Sequence, residues 1–88
     1  MVRYRVLICG LVQGVYFRDT CRRTAERHGV RGWVRNLPDG RVEAVFEGSD
    51  DAVRAMLEWS SQGPPAAEVK DVQVEAEPPE GISGFHIR

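Results

Sequence analysis

Only two of the 88 residues are cysteine, Cys9 and Cys21, and neither stands two to four positions from another cysteine or a histidine. That count and spacing argue against a disulfide-dense scaffold and against a soft-metal carrier built on C-x-x-C, and both thiols are expected to be reduced and partly buried. Long apolar runs are missing as well. No stretch approaches the roughly 20 residues that span a bilayer. Met1 to Arg5 carries two arginines rather than the apolar segment and small-residue cleavage site of a signal peptide. A cytoplasmic protein with no membrane association is expected. Net charge is nearly absent: 12 Lys+Arg stand against 13 Asp+Glu, a formal −1. No global positive field draws in nucleic acid or an anionic membrane, so any anion site has to be built locally. Mild charge and small size favour a monomer. A chain of 88 residues makes one core, so residues 1–88 are expected to form a single domain. At 42% hydrophobic and 28% charged, it is far from compositions that stay disordered.

What is present is a run of alternating segments. Tyr4 to Cys9 puts Val6 and Ile8 on one face and ends at Gly10, predicting a first strand. Gly10 to Tyr16 is a turn too apolar for a solvated linker. Asp19 to His28 is read as a helix, with Phe17, Cys21, Thr24, Ala25 and His28 at helical spacing and Gly29 as its stop. Val30–Asn36 and Arg41–Glu47 flank Leu37-Pro38-Asp39-Gly40, turn chemistry that predicts a hairpin. Ser49 with Asp50 and Asp51 suits a helix N-terminus; Val53, Met56, Leu57 and Ser60 follow, and Gly63-Pro64-Pro65 closes the helix. Val72, Val74 and Ala76 alternate with polar residues, and a short last strand carries Phe85 and Ile87. The order is βαββαβ with a small added strand: an α+β, ferredoxin-like sandwich, its antiparallel sheet covered by two helices on one face.

Such a scaffold hosts unrelated functions, so function must come from a site. Gly10 and Gly14 allow a tight turn, and the amides of Gln13, Gly14, Val15, Tyr16, Phe17 and Arg18 can converge where the first helix begins, a natural anion site with the Arg18 fork beside it. The loop is neither a Walker A sequence nor a dinucleotide fingerprint, and on the residues alone a structural glycine turn with a surface arginine is the favoured reading over an anion-binding loop. Asn36, at the end of Gly32-Trp33-Val34-Arg35-Asn36, is a second candidate, with an Asx role in the hairpin turn as its alternative. Residue order alone leaves open whether the two meet.

Ile8-Cys9-Gly10-Leu11-Val12-Gln13-Gly14-Val15-Tyr16-Phe17-Arg18 resembles the first signature of the acylphosphatase family. Gly32-Trp33-Val34-Arg35-Asn36, with Gly40, Val42 and Gly48, resembles the second. The resemblance spans essentially the whole chain. It implies hydrolysis of an acyl phosphate, a carboxylic-phosphoric anhydride, to a carboxylate and inorganic phosphate. It makes Arg18 the phosphate-binding arginine, Asn36 the residue that positions water, and Gln13 to Phe17 the amide cradle. It implies a small-molecule partner, with no cofactor and no metal. Asp19, Asp39, Asp50 and Asp51 are explained as helix or turn residues rather than a Mg²⁺ set.

Other readings compete. RNA-recognition domains share this element order, yet Arg41 to Glu47 puts acidic residues where their third strand needs stacking aromatics. A phosphate- or acyl-phosphate-binding domain without turnover is the main alternative. His28 is expected at a helix C-terminus, His86 on the sheet surface, and Trp33 and Trp59 in packing.

Overall fold

Alternation of apolar and polar side chains gives a strand one face to bury, and the computed structural model, which describes residues 1–88, follows that rule on β1, while the central β3 is buried on both faces. In chain order the elements are β1 (Val2–Leu11), α1 (Phe17–His28), β2 (Arg31–Asn36), β3 (Val42–Gly48), α2 (Asp50–Gln62), β4 (Glu68–Glu77) and β5 (Phe85–Ile87). The sheet order is β4-β1-β3-β2-β5. The four longer strands pair antiparallel, as expected, whereas β5 runs parallel to β2 and makes the sheet mixed. The chain path explains this. β4 ends with Glu77 beside Arg3, and the chain crosses that end of the sheet to pair Phe85 with Gly32.

Register aligns Val6 with Ala44, Ile8 with Val42 and Val34 with Ala44, so one face of the sheet is continuously apolar. Phe17, Cys21 and Ala25 of α1 and Val53 and Met56 of α2 close over it in one cluster. Each large apolar side chain buried there contributes about 1.5–3 kcal/mol relative to exposure. The helices are punctuated as the sequence indicates: the Ser49 hydroxyl accepts the Ala52 amide at 3.3 Å, and Gly29 ends α1 in the left-handed conformation. Two boundaries differ from expectation. α1 starts two residues earlier, at Phe17, whose ring packs 5.0 Å from that of Trp59 and so draws the first turn onto α2. β4 begins at Glu68 rather than Val72, because backbone pairing with Gly10 and Leu11 carries a charged edge segment that has no apolar alternation.

The uncovered face is polar. Glu43 accepts from Arg35 at 2.6 Å and from Arg5, and Trp33 lies 4.7 Å from the Arg88 guanidinium and 5.4 Å from that of Arg35. His86 is exposed on this side, its ring 2.8 Å from the Ser83 carbonyl. No helix is long and apolar enough to cross a membrane.

Candidate active site

The site begins where β1 leaves the sheet. Pairing between β1 and β4 shifts at Cys9 and Gly10, and a Cβ on Gly10 would stand 2.1 Å from the Glu68 carbonyl oxygen, so only glycine permits the approach. The chain then turns through Gly14 (φ 74°) and Tyr16 (φ 63°). Gly14 adopts this backbone freely. Tyr16 does so at a cost of about 1–2 kcal/mol. Left-handed residues in a turn of this kind fold successive amides toward one concavity. No backbone amide from Gln13 to Asp19 donates to an acceptor within the protein, and the N-cap position of α1 supplies no side-chain acceptor. A run of unpaired N–H groups at a helix N-terminus is a ready anion site.

Four side chains hold the loop in place. Val12 and Phe17 are in the core and Val15 packs against it. Gln13 ties the loop to the β2–β3 hairpin, its Nε2 donating to the carbonyls of Leu37 at 2.8 Å and Arg41 at 3.0 Å. The hairpin turn is itself fixed by Asp39, which accepts from the Arg41 amide at 3.1 Å and from its Nε at 2.8 Å; those bonds hold the Asp39 carboxyl below its usual range. The Gln13 tie therefore answers the question of adjacency: it brings the loop beside the end of β2, where Asn36 sits.

Between them lies a cleft of about 410 Å³ where Gly14, Tyr16, Phe17 and Arg18 meet Asn36, with Val12, Asp19 and Ile87 completing the wall. Of the residues expected in the cradle, Gln13 and Val15 do not line it. Asp19 and Ile87 are additions. Asp19 had a sufficient explanation as a first-turn acid, and Ile87 reaches the cleft through the parallel pairing of β5, which no local pattern announces.

Charge in the cleft is uneven. Asp19 is engaged by Arg23 at 2.9 Å and by Arg22 at 3.4 Å. Arg18 is exposed and takes part in none of the ion pairs, so its guanidinium is uncommitted. The Asn36 Oδ1 is buried and has no hydrogen-bond partner. The two ends of a carboxamide are isosteric and its terminal torsion is nearly two-fold, so a half-turn presents the carbonyl to the cleft without moving the chain. The wider field agrees. α1, β2 and the C-terminal Arg88 carry seven arginines against Asp19 and Glu26, while α2 and β4 carry seven acidic residues against Arg54 and Lys70. The near-zero net charge conceals two halves of opposite sign, and the cleft lies in the basic one.

Neither cysteine enters the site. Cys21 is fully buried under α1, where burial pushes its thiol up and keeps it protonated, and Cys9 is a half-buried strand residue. No three His, Cys, Asp or Glu side chains gather closely enough to hold a metal ion.

On a small α+β domain with a ferredoxin-like sheet, one cleft is thus lined by Gly14, Tyr16, Phe17 and Arg18, whose amides are unpaired, and by Asn36, whose Oδ1 has no partner. Comparison with known proteins makes the class specific: the acylphosphatase family model matches residues 4–87, and the chain belongs to that family. It is 59% identical over 87 residues to the acylphosphatase of Rubrobacter xylanophilus, covering 98% of this chain and 79% of that protein. It is 57% identical over 86 residues to that of Gloeobacter violaceus, covering 98% and 92%. The crystal structure of acylphosphatase from Bacillus subtilis superposes with a TM-score of 0.96 at 37% identity, over 100% of this chain and 99% of that one.

Proposed function

We propose that the amides of Gln13 to Arg18 and the Arg18 guanidinium hold the phosphoryl group, and that Asn36 orients the attacking water, in the hydrolysis of acyl phosphates that belongs to an acylphosphatase. The observation that supports this reading is that Gly14, Tyr16, Phe17 and Arg18, whose amides the fold leaves unpaired, line one cleft with Asn36, whose Oδ1 has no partner.

Phosphoryl transfer demands little covalent help; the barrier falls through positioning and through neutralisation of the equatorial oxygens. Amides and a planar guanidinium supply donors of fixed geometry for those oxygens. The Asn36 carbonyl accepts a hydrogen bond from water and aims its oxygen at phosphorus, opposite the carboxylate leaving group. As the new P–O bond forms, the bond to the acyl oxygen breaks; the carboxylate departs with that electron pair, and the water's proton passes to a phosphoryl oxygen of the substrate. Because a carboxylate leaves readily, no general acid is needed there. Because the substrate takes the proton, no strong base is needed either. Asp19, Asp39, Asp50 and Asp51 are committed to arginines or to the start of α2, which favours an activity independent of divalent metal and of any cofactor.

The protein is read as a cytoplasmic monomer acting as one domain over residues 1–88, on small acyl phosphates and not on nucleic acid. Phosphate release from acetyl phosphate by the purified protein, beside its Arg18→Gln variant, tests the proposal. Release by the wild type that collapses in the variant supports it. Phosphate binding with no release would make the chain a binding domain.

A further inference from the structure

One side chain beside the loop has the wrong sign for an anion site. Asp19 is the only acidic residue among those lining the cleft, and its carboxylate repels a phosphoryl group. It is also the third residue of α1, with Tyr16 at the N-cap, and from that position a side-chain acceptor reaches back to the N-cap amide. The amides from Tyr16 to Arg18 have no acceptor in the protein. Asp19 does not supply one, because its two oxygens are engaged elsewhere. Oδ2 lies 2.9 Å from Nη2 of Arg23, and Oδ1 accepts from Nη2 of Arg22 at 3.4 Å. Ion pairs at this spacing on an exposed helix ordinarily add little to stability. Here they have a second effect: the group they occupy is the nearest competitor for the loop amides that the fold contains.

We propose that Arg22 and Arg23 are positioning residues that hold the Asp19 carboxylate off the loop amides, so that the cradle stands open to a phosphoryl group instead of being capped from within. The inference rests on the proposed function for the role of the cradle. Without the two arginines, the Asp19 carboxylate turns back and accepts from the Tyr16 amide, as the third residue of a capping box does. Phosphate then binds only the fraction of molecules whose cradle is empty, and its apparent dissociation constant rises by the inverse of that fraction. Substrate and product suffer alike, since both use the same amides. A substrate already bound has displaced the carboxylate, so the chemical step is spared.

A double-mutant cycle separates movement of Asp19 from simple loss of positive charge. The dissociation constant of inorganic phosphate is measured by calorimetry, at about 0.15 M salt to screen the wider field. The four proteins are the wild type, Arg22→Gln/Arg23→Gln, Asp19→Ala, and the variant with all three changes; alanine is used because asparagine is itself a good helix cap. Charges that stay in place contribute additively, whereas a group that moves does not. The two arginine substitutions should therefore cost about fivefold more affinity with Asp19 present than with it absent, the factor of one capping bond. KM for acetyl phosphate should rise by a like factor with kcat little changed. In phosphate-free NMR spectra the Tyr16 amide proton should move downfield in Arg22→Gln/Arg23→Gln and return in the triple variant, since a carboxylate acceptor strengthens the bond to that proton. Melting curves establish folding. If the double variant does not fold, Arg23→Gln alone, which removes the 2.9 Å contact, goes through the same cycle. Equal losses with and without Asp19, or a Tyr16 amide that does not move, overturn the proposal. A wild type that binds no phosphate would sink the proposed function, and the amide shift would then decide the restraint on its own.

Discussion

The two ends of the sheet treat polar groups in opposite ways. At the end where β4 crosses to β5, Glu47 is fully buried and fully used. It accepts the amides of Glu80 and Gly81 at 2.8 Å each and pairs with Arg3 at 3.3 Å, while Arg3 reaches Glu77 at 3.0 Å. Burial alone would raise the Glu47 carboxyl, but the two amides and the guanidinium outweigh it and hold the carboxyl below its usual range. At the other end the loop amides, Arg18 and the Asn36 carboxamide have no partners. One end spends its polar groups on holding the chain path; the other leaves them without partners in the fold. Unpaired donors in a folded protein are a cost to stability, and under the proposed function that cost is offset when the phosphoryl group binds.

The largest effect that can break this comparison is at Arg18. Arg18→Gln is expected to lower kcat/KM for acetyl phosphate by about 10³- to 10⁵-fold, in the range of catalytic arginines, with little change in melting temperature because no ion pair is lost. Arg18→Lys should not restore the rate, since an ammonium cannot reproduce a bidentate fork. A lysine variant near the wild-type rate would reduce Arg18 to a general positive charge.

Glu47 should behave in the reverse manner. Glu47→Ala leaves Arg3 and two amides without their acceptor and is expected to cost about 3 kcal/mol or more, a fall in Tm of more than about 10 °C for a domain of this size, with kcat at 25 °C close to wild type in whatever fraction is folded. The pH dependence has a definite sign. A carboxyl whose folded pKa lies below its unfolded value adds stability that is complete above the unfolded value, about 4.3, and is lost as pH falls through the folded one. Glu47→Gln should therefore flatten the fall in wild-type Tm below about pH 4.3; a parallel curve would show that this carboxyl does not carry the effect.

Most of the frame was legible from residues alone because its signals are local. Val6 and Ile8 alternate, Ser49 precedes two acids, and Leu37-Pro38-Asp39-Gly40 can scarcely be other than a turn. The Gln13 tie was not legible: its acceptors are the carbonyls of Leu37 and Arg41, which every residue type carries. For the same reason the meeting of Asn36 with the loop rested on the family resemblance, not on spacing. Glu68 to Asp71 gave no strand signal, since an edge strand paired on one side needs no apolar alternation. Ile87 is legible as a residue of a short last strand, but its place in the cleft depends on a parallel pairing more than 50 residues away in sequence.

Gln13 ties the loop to the hairpin at the functional end through two hydrogen bonds, and removing them sharpens the contrast. Gln13→Met should lower kcat about 10- to 100-fold by letting the loop drift from Asn36, with a smaller change in phosphate affinity; unchanged kcat would show that the two segments hold their register without it. The smallest effect is electrostatic. Because the cleft lies in the basic half, kcat/KM should fall a few-fold when ionic strength rises from about 0.01 to 0.15 M, as the screening length drops from about 30 to 8 Å, while kcat stays level.

The central claim, that the unpaired groups divide into those that hold the anion and one that orients water, is tested most directly by melting the wild type, Arg18→Gln and Asn36→Ala across a range of inorganic phosphate and measuring kcat on the same samples. A ligand that binds only the folded state raises Tm in proportion to its affinity. The account predicts a phosphate-dependent rise in the wild type, no rise and no turnover in Arg18→Gln, and in Asn36→Ala a rise that gives a dissociation constant within about threefold of wild type while kcat falls by a large factor. An Asn36→Ala protein that loses the phosphate response or keeps its kcat, or an Arg18→Gln protein that keeps the response, would contradict it.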